Sequence, residues 1–217
     1  DIVSLDLEQG LVKEKTIKVK DLAENNGFLY GDLTSVDVNT TTKKVSVSVQ
    51  EKDSKKAGKI LVLDYDGNVV KTYEAGVQPD MIKSTTDGRY ILTANEGEPR
   101  TAGTDPEGSI TIVDTIMDSV TQVRFADPSV IDNNVHIRGA SAPTTGQITG
   151  EGTKEDAVFD LEPEYIALSD DNSKAYVSFQ ENNAIGTIDL ASKSVISIKG
   201  LGLKDLNLPR NSLDLVK

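Results

Sequence analysis

The chain has 217 residues, 35 acidic against 23 basic side chains, a formal net charge of −12, one histidine and no cysteine. That balance disfavours nucleic acid, which needs clustered Lys and Arg, and no apolar run approaches the roughly 18 residues of a membrane-spanning helix. The missing cysteines exclude disulfides, thiolate metal sites and a Cys nucleophile, His136 alone excludes two-His zinc motifs, and 37% apolar residues suffice for a buried core.

In chain order, DIVSLDL turns at Glu8-Gln9-Gly10 into VKEKTIKV, a pair of strands. LTSVDVNTTTKKVSVSVQE (Leu33 to Glu51) is an apolar stretch, a polar turn and a strand with Val45, Val47 and Val49 in alternation. KILVLD then turns through Tyr65-Asp66-Gly67-Asn68 into VVKTYE. QPDMIKSTTDGRYILTANE (Gln78 to Glu96) repeats the first pattern with a shift of 45 residues and no gap, and Asp87-Gly88 supplies the hairpin turn. SITIVD and SVTQV follow as its second hairpin. After a stretch from Arg124 to Asp160, EPEYIALSDDNSKAYVSFQE (Glu162 to Glu181) gives the pattern a third time, turning at Asp171-Asn172. AIGTIDL and SVISI, joined by Ala191-Ser192-Lys193, complete it.

Each unit is thus four antiparallel strands, a to d. Four-stranded units about 40–45 residues apart are the signature of β-propeller blades. The expectation is an all-β chain, a β-propeller fragment of about three and a half blades. Residues 1–20 form a half blade, 33–76, 77–123 and 161–200 form blades, and 124–160 form a long insert. Propellers close with about four to eight blades, so the expected chain is part of a longer protein, or pairs with itself through open sheet edges.

Antiparallel pairing places the d-to-a links and b-to-c loops on one face and the a–b and c–d turns on the other. The first face collects Glu51, Asp80, Glu96, Glu98, Glu162, Glu164 and Glu181, with Asp105 and Glu107 in one loop and Glu151, Glu155, Asp156 and Asp160 in the insert. The second receives Lys43, Lys44, Arg89, Lys174 and Lys193. Elaborated loops on a rigid scaffold are where function concentrates. Calcium takes six to eight oxygen ligands, and Asp80, Glu96, Glu98, Glu164 and Glu181 are the candidate metal ligands. The competing reading is that these acids bond strand-end N–H groups, pair with Lys or Arg, or solvate the loops.

Other motifs carry less. Asp64-Tyr65-Asp66-Gly67-Asn68 lacks the downstream bidentate Glu of a calcium loop and reads as a hairpin turn. His136 reads as a loop or edge residue, and the six tyrosines, Tyr30, Tyr65, Tyr73, Tyr90, Tyr165 and Tyr176, read as packing. Asn39-Thr40-Thr41 fits a glycosylation sequon. No nucleophile elbow, phosphate loop or dinucleotide fingerprint is present.

GVQPDMIKSTTDGRYILTANEGEP, DPEGSITIVD and DLEPEYIALSDDNSKAYVSFQENNAI resemble the choice-of-anchor I family. These are extracellular β-propellers related to mesenchyme-specific cell-surface glycoproteins, with blades similar to the YVTN repeats of surface-layer proteins. The resemblance runs from about Asp1 to Leu206. It implies a secreted, wall-attached or cell-surface protein, and family members about twice this length, but no catalytic residue. Two functions follow as expectations. One is a non-enzymatic module binding divalent cations, a cell-wall polymer or another surface protein through the acidic face. The other is a calcium-assisted phosphoesterase, with Arg100 and Arg138 as the evident loop cations of that face.

Overall fold

Fourteen strands appear among the residues described by the structure, a computed structural model covering 2–100, 104–139 and 152–211. β1 (Ile2–Asp6) and β2 (Gly10–Lys15) form a separate hairpin, followed by a short helix the sequence did not announce, α1 (Val19–Ala23). Blade 1 is β3 (Tyr30–Asn39), β4 (Lys44–Glu51), β5 (Ala57–Asp64) and β6 (Val69–Val77). Blade 2 is β7 (Pro79–Ser84), β8 (Tyr90–Asn95), β9 (Ser109–Asp114) and β10 (Ser119–Arg124). The insert holds a short helix, α2 (Ala157–Asp160); residues 140–151, with Glu151, lie outside the described residues. Blade 3 is β11 (Pro163–Leu168), β12 (Lys174–Phe179), β13 (Ala184–Asp189) and β14 (Ser194–Gly200).

Every blade is an antiparallel meander, and β7 packs against β3 and β4 on one side and β11 on the other. The strand a positions thus stand side by side, and the sheets fan out from them as in a β-propeller. The a–b turns repeat one backbone device. Lys43, Gly88 and Asn172 occupy equivalent positions and all have positive φ, 54°, 72° and 57°. Only the middle unit meets this demand with glycine. There a Cβ would come within 2.3 Å of the Thr42 side chain on the neighbouring turn.

The core lies between the blades. Ile60, Val62 and Ala75 of blade 1 meet Ile82, Ile91 and Val113 of blade 2. On its other face blade 2 packs Leu92, Ala94, Ile110 and Ile112 toward Ile166, Val177, Phe179 and Ile188 of blade 3. β8 and β9 are therefore buried along their whole length. The far face of blade 1, with Val47, Val49 and Leu63, is covered by Ile17, Val19, Leu22 and Phe28 from the segment around α1.

The tyrosines divide, contrary to the reading of all six as packing. Tyr90 is buried, Tyr73 and Tyr30 pack on cores, but Tyr65, Tyr165 and Tyr176 are exposed. Tyr165 and Tyr176 fall on the face of blade 3 opposite Ile166 and Val177, where alternation must put them.

Polar bonds join consecutive blades at the repeat spacing. Thr34 Oγ1 donates to Pro79 O (2.6 Å), and Tyr73 Oη donates to Asp118 Oδ1 (3.0 Å), each 45 residues apart. Asn39 Nδ2 donates to Thr85 O (2.8 Å) and Asn172 Nδ2 to Thr86 Oγ1 (2.7 Å). Asn39 is buried and committed to this joint, so the sequon has a structural explanation.

Candidate functional site: the carboxylate rim

The face formed by strand a starts and strand b ends carries the candidate acids as the topology required. Asp80 and Glu164 are each the second residue of an innermost strand, β7 and β11. Glu96 and Glu98 follow β8, and Glu181 follows β12. Asp80, Glu96, Glu164 and Glu181 are half-buried, while Glu98 is exposed and held by Arg100 Nε at 2.9 Å.

These groups feel one another. Burial, then the charges of Asp80, Glu98 and Glu164, push Glu96 up to about 7, against the pull of Arg100. Arg100 stands 3.7 Å from Glu96. Burial and the charges of Glu181 and Asp80 raise Glu164, and burial raises Asp80. Glu181 adds a buried carboxylate oxygen, Oε2, with no hydrogen-bond partner among the described residues. The five acids thus form one electrostatic group spanning blades 2 and 3. Yet no three His, Cys, Asp or Glu among the described residues stand close enough to hold a metal ion as a cage.

Blade 1 departs from the pattern. Glu51 matches Glu96 by the 45-residue shift, but its carboxylate accepts from Leu29 N (3.0 Å) and Asp53 N (3.3 Å). Here the competing reading holds, and the acid serves the backbone.

Beside the rim lies a network that sequence reasoning did not assemble. Arg138, from the insert, reaches Asp160 Oδ1 with Nε (3.2 Å) and Glu162 Oε1 with Nη2 (2.8 Å). Its backbone N donates to Asp160 Oδ2 (3.0 Å), as does Asn182 Nδ2 (2.6 Å). His136 is also held here, its N donating to Asn182 O and its O accepting from Asn182 Nδ2. Burial pushes Glu162 up to about 7 despite Arg138, with Glu181 and Glu98 adding to the rise. Burial likewise raises Asp160. Nothing in the spacing of residues 138, 160, 162 and 182 marks them as partners. The available signal was a lone Arg in the middle of the insert, between the acids Asp132 and Glu155.

The opposite face carries acids beside its cations. Its lysines and Arg89 share the turns with Asp64, Asp87, Asp114, Asp171 and Asp189, because these turns need acceptors. Bonds from Asn68 lower Asp64, bonds from Thr85 and Arg89 N lower Asp87, and those from Ser169 and Ser173 take Asp171 to about 2. The two ends therefore differ in the state of their carboxylates more than in net sign. The turn aspartates are satisfied by donors, and the rim acids are crowded by burial and like charge.

Glu96→Gln checks this crowding. A carboxyl raised from 4.5 to about 7 stabilises the fold fully below pH 4.5 and loses that contribution as pH rises through 7. The variant is expected to melt about 2–4 °C above the parent at pH 8, for roughly 1 kcal/mol after solvent screening, and equally at pH 4.5. A higher melting point at both pH values, or at neither, would show that Glu96 is not crowded.

Residues 3–217 match the choice-of-anchor I domain. The chain belongs to that family. No curated protein matches it in sequence. Among solved structures it is similar to the Kuenenia stuttgartiensis hydrazine synthase, with 13% identity and a TM-score of 0.48 over 71% of this chain and 39% of that one. It is also similar to the β-propeller domain of the trilobed protease from Pyrococcus furiosus, with 12% identity and a TM-score of 0.43 over 77% and 43%. A third is the Cps50 (Swd1) β-propeller domain of Myceliophteria thermophila, with 10% identity and a TM-score of 0.46 over 80% and 45%. The chain thus spans less than half the length of these structures. The three four-stranded antiparallel blades and the family match make this choice-of-anchor I domain a surface-associated β-propeller module. No helix among its described residues is long and apolar enough to cross a membrane.

Proposed function

We propose that this choice-of-anchor I domain is a non-enzymatic, extracellular binding module whose carboxylate rim takes up cations, calcium foremost, and through them a wall polymer or another surface protein. The observation that carries the reading is the mutual crowding of Asp80, Glu96, Glu98, Glu164 and Glu181. Adding positive charge relieves that repulsion, so binding and stability are linked. With no cage of three such ligands among the described residues, the affinity expected is that of extracellular calcium modules, about 10⁻⁴–10⁻³ M. A phosphoesterase would need cations free to clamp phosphate, whereas Arg100 and Arg138 are both engaged by carboxylates.

Thermal melting with millimolar calcium, against sodium chloride of equal ionic strength, tests the reading. Calcium is expected to raise the melting temperature at pH 8 and less at pH 5, where Glu96, pushed up to about 7, is largely protonated. The doubly substituted Glu96→Gln, Glu164→Gln protein should lose most of the gain. No calcium-specific shift at pH 8 and no heat in calorimetric titration would remove the cation reading.

A further inference from the structure

At the end of the molecule opposite the rim, a cavity of about 440 Å³ opens between blades 1 and 2. The size lies within the range of about 300–1,000 Å³ usual for small-molecule sites. Val62 and Ile91, both buried core residues, and half-buried Tyr73 give it an apolar interior. Lys44, Lys71 and Asp118 also line it. Lys71 Nζ is bound to Asp118 Oδ2 at 2.7 Å, and Tyr73 Oη to the other oxygen at 3.0 Å, so Lys71 and Asp118 are committed to each other.

Lys44 is different. It is half-buried and makes no ion pair with the described residues. The acid directly across the sheet, Asp64, uses its oxygens on Asn68 N (2.8 Å) and Nδ2 (3.0 Å) within its own hairpin. An apolar cleft with one uncommitted ammonium group is complementary to a flat apolar body carrying a single negative charge. A polyanion is disfavoured by Asp118 and by the net charge of −12.

We infer that the cleft between blades 1 and 2 is a binding site for a small aromatic or similarly flat monoanion, with the acidic group at Lys44. The site stands on observations separate from the carboxylate rim and needs no metal.

The test uses naphthoate and its neutral isostere naphthamide, followed by methyl NMR of the folded domain. Naphthoate should shift the methyl signals of Val62, Val70 and Ile91 saturably, and naphthamide should bind about fivefold more weakly, as expected for one partly exposed charge contact. Lys44→Gln should erase the difference between the two probes while leaving naphthamide binding unchanged. Val70→Trp, at a partly exposed wall position, should block both by filling the entrance. Shifts confined to other methyl groups, equal binding of both probes, or no saturation at millimolar probe would overturn the assignment.

Discussion

Arg138→Leu is expected to destabilise the domain by about 3–5 kcal/mol at pH 8, the cost of leaving buried carboxylates without their partner. The Asp160 and Glu162 side chains retain 1% and 9% of their exposure, and Arg138 is the cation that touches both. At about 2–4 °C per kcal/mol for a domain of this size, the melting temperature should fall by about 10 °C. The loss should be smaller at pH 5. Both acids are raised by burial already, and removal of Arg138 raises them further. The variant's deficit therefore grows as pH climbs above the carboxylate range and shrinks as both groups take up protons. Thermal melts of parent and variant at the two pH values measure it. A loss below about 1 kcal/mol at pH 8 would mean that water, not Arg138, compensates these charges.

Phe179→Ala should cost about as much, roughly 3–5 kcal/mol, by opening a cavity at the joint between blades 2 and 3. Phe179 is 1% exposed and meets Phe125 edge-on, with ring centroids 4.9 Å apart and planes at 88°. Phe125 directly follows β10, so the pair connects the outgoing end of blade 2 to the second strand of blade 3. Gly186 makes the room, since a Cβ there would lie 2.8 Å from the Phe179 ring. Phe179→Leu, which keeps most of the volume, should lose markedly less. Urea unfolding of both variants checks this, and equal losses would show that the edge-on ring fit, not the volume filled, carries the contribution.

The clearest sequence signals came from strands with one apolar face toward a core. In β4, Val45, Val47 and Val49 point to one side and Ser46 and Ser48 to the other, so period two is plain. In β8 both faces pack on apolar cores, so Ile91 and Leu92 stand side by side and the alternation breaks, and its place in the repeat supports the strand. α1 was missed because its five residues are too few for a helical period, and its Ala23 is fixed by the blade beneath it. The rim acids could be sorted to one face because antiparallel pairing dictates which chain ends lie together. Their crowding could not be foreseen, because it depends on burial at the blade ends. Glu51 shows the limit: its repeat position equals that of Glu96, but Leu29 N, from a segment outside the repeat, consumes its carboxylate.

The bonds between blades, Thr34 to Pro79, Asn39 to Thr85 and Tyr73 to Asp118, all join positions 45 or 46 residues apart. A shift of 45 residues carries Thr34 onto Pro79 and Tyr73 onto Asp118, so these bonds join the same place in two successive wedges with a different residue on each side. A tandem copy of blade 1 would keep the joints that end on a backbone carbonyl, as those of Thr34 and Asn39 do, but would set Tyr73 against a second tyrosine. Neighbouring wedges are thus matched to one another in order, and a change in their number would have to re-fit that side-chain joint.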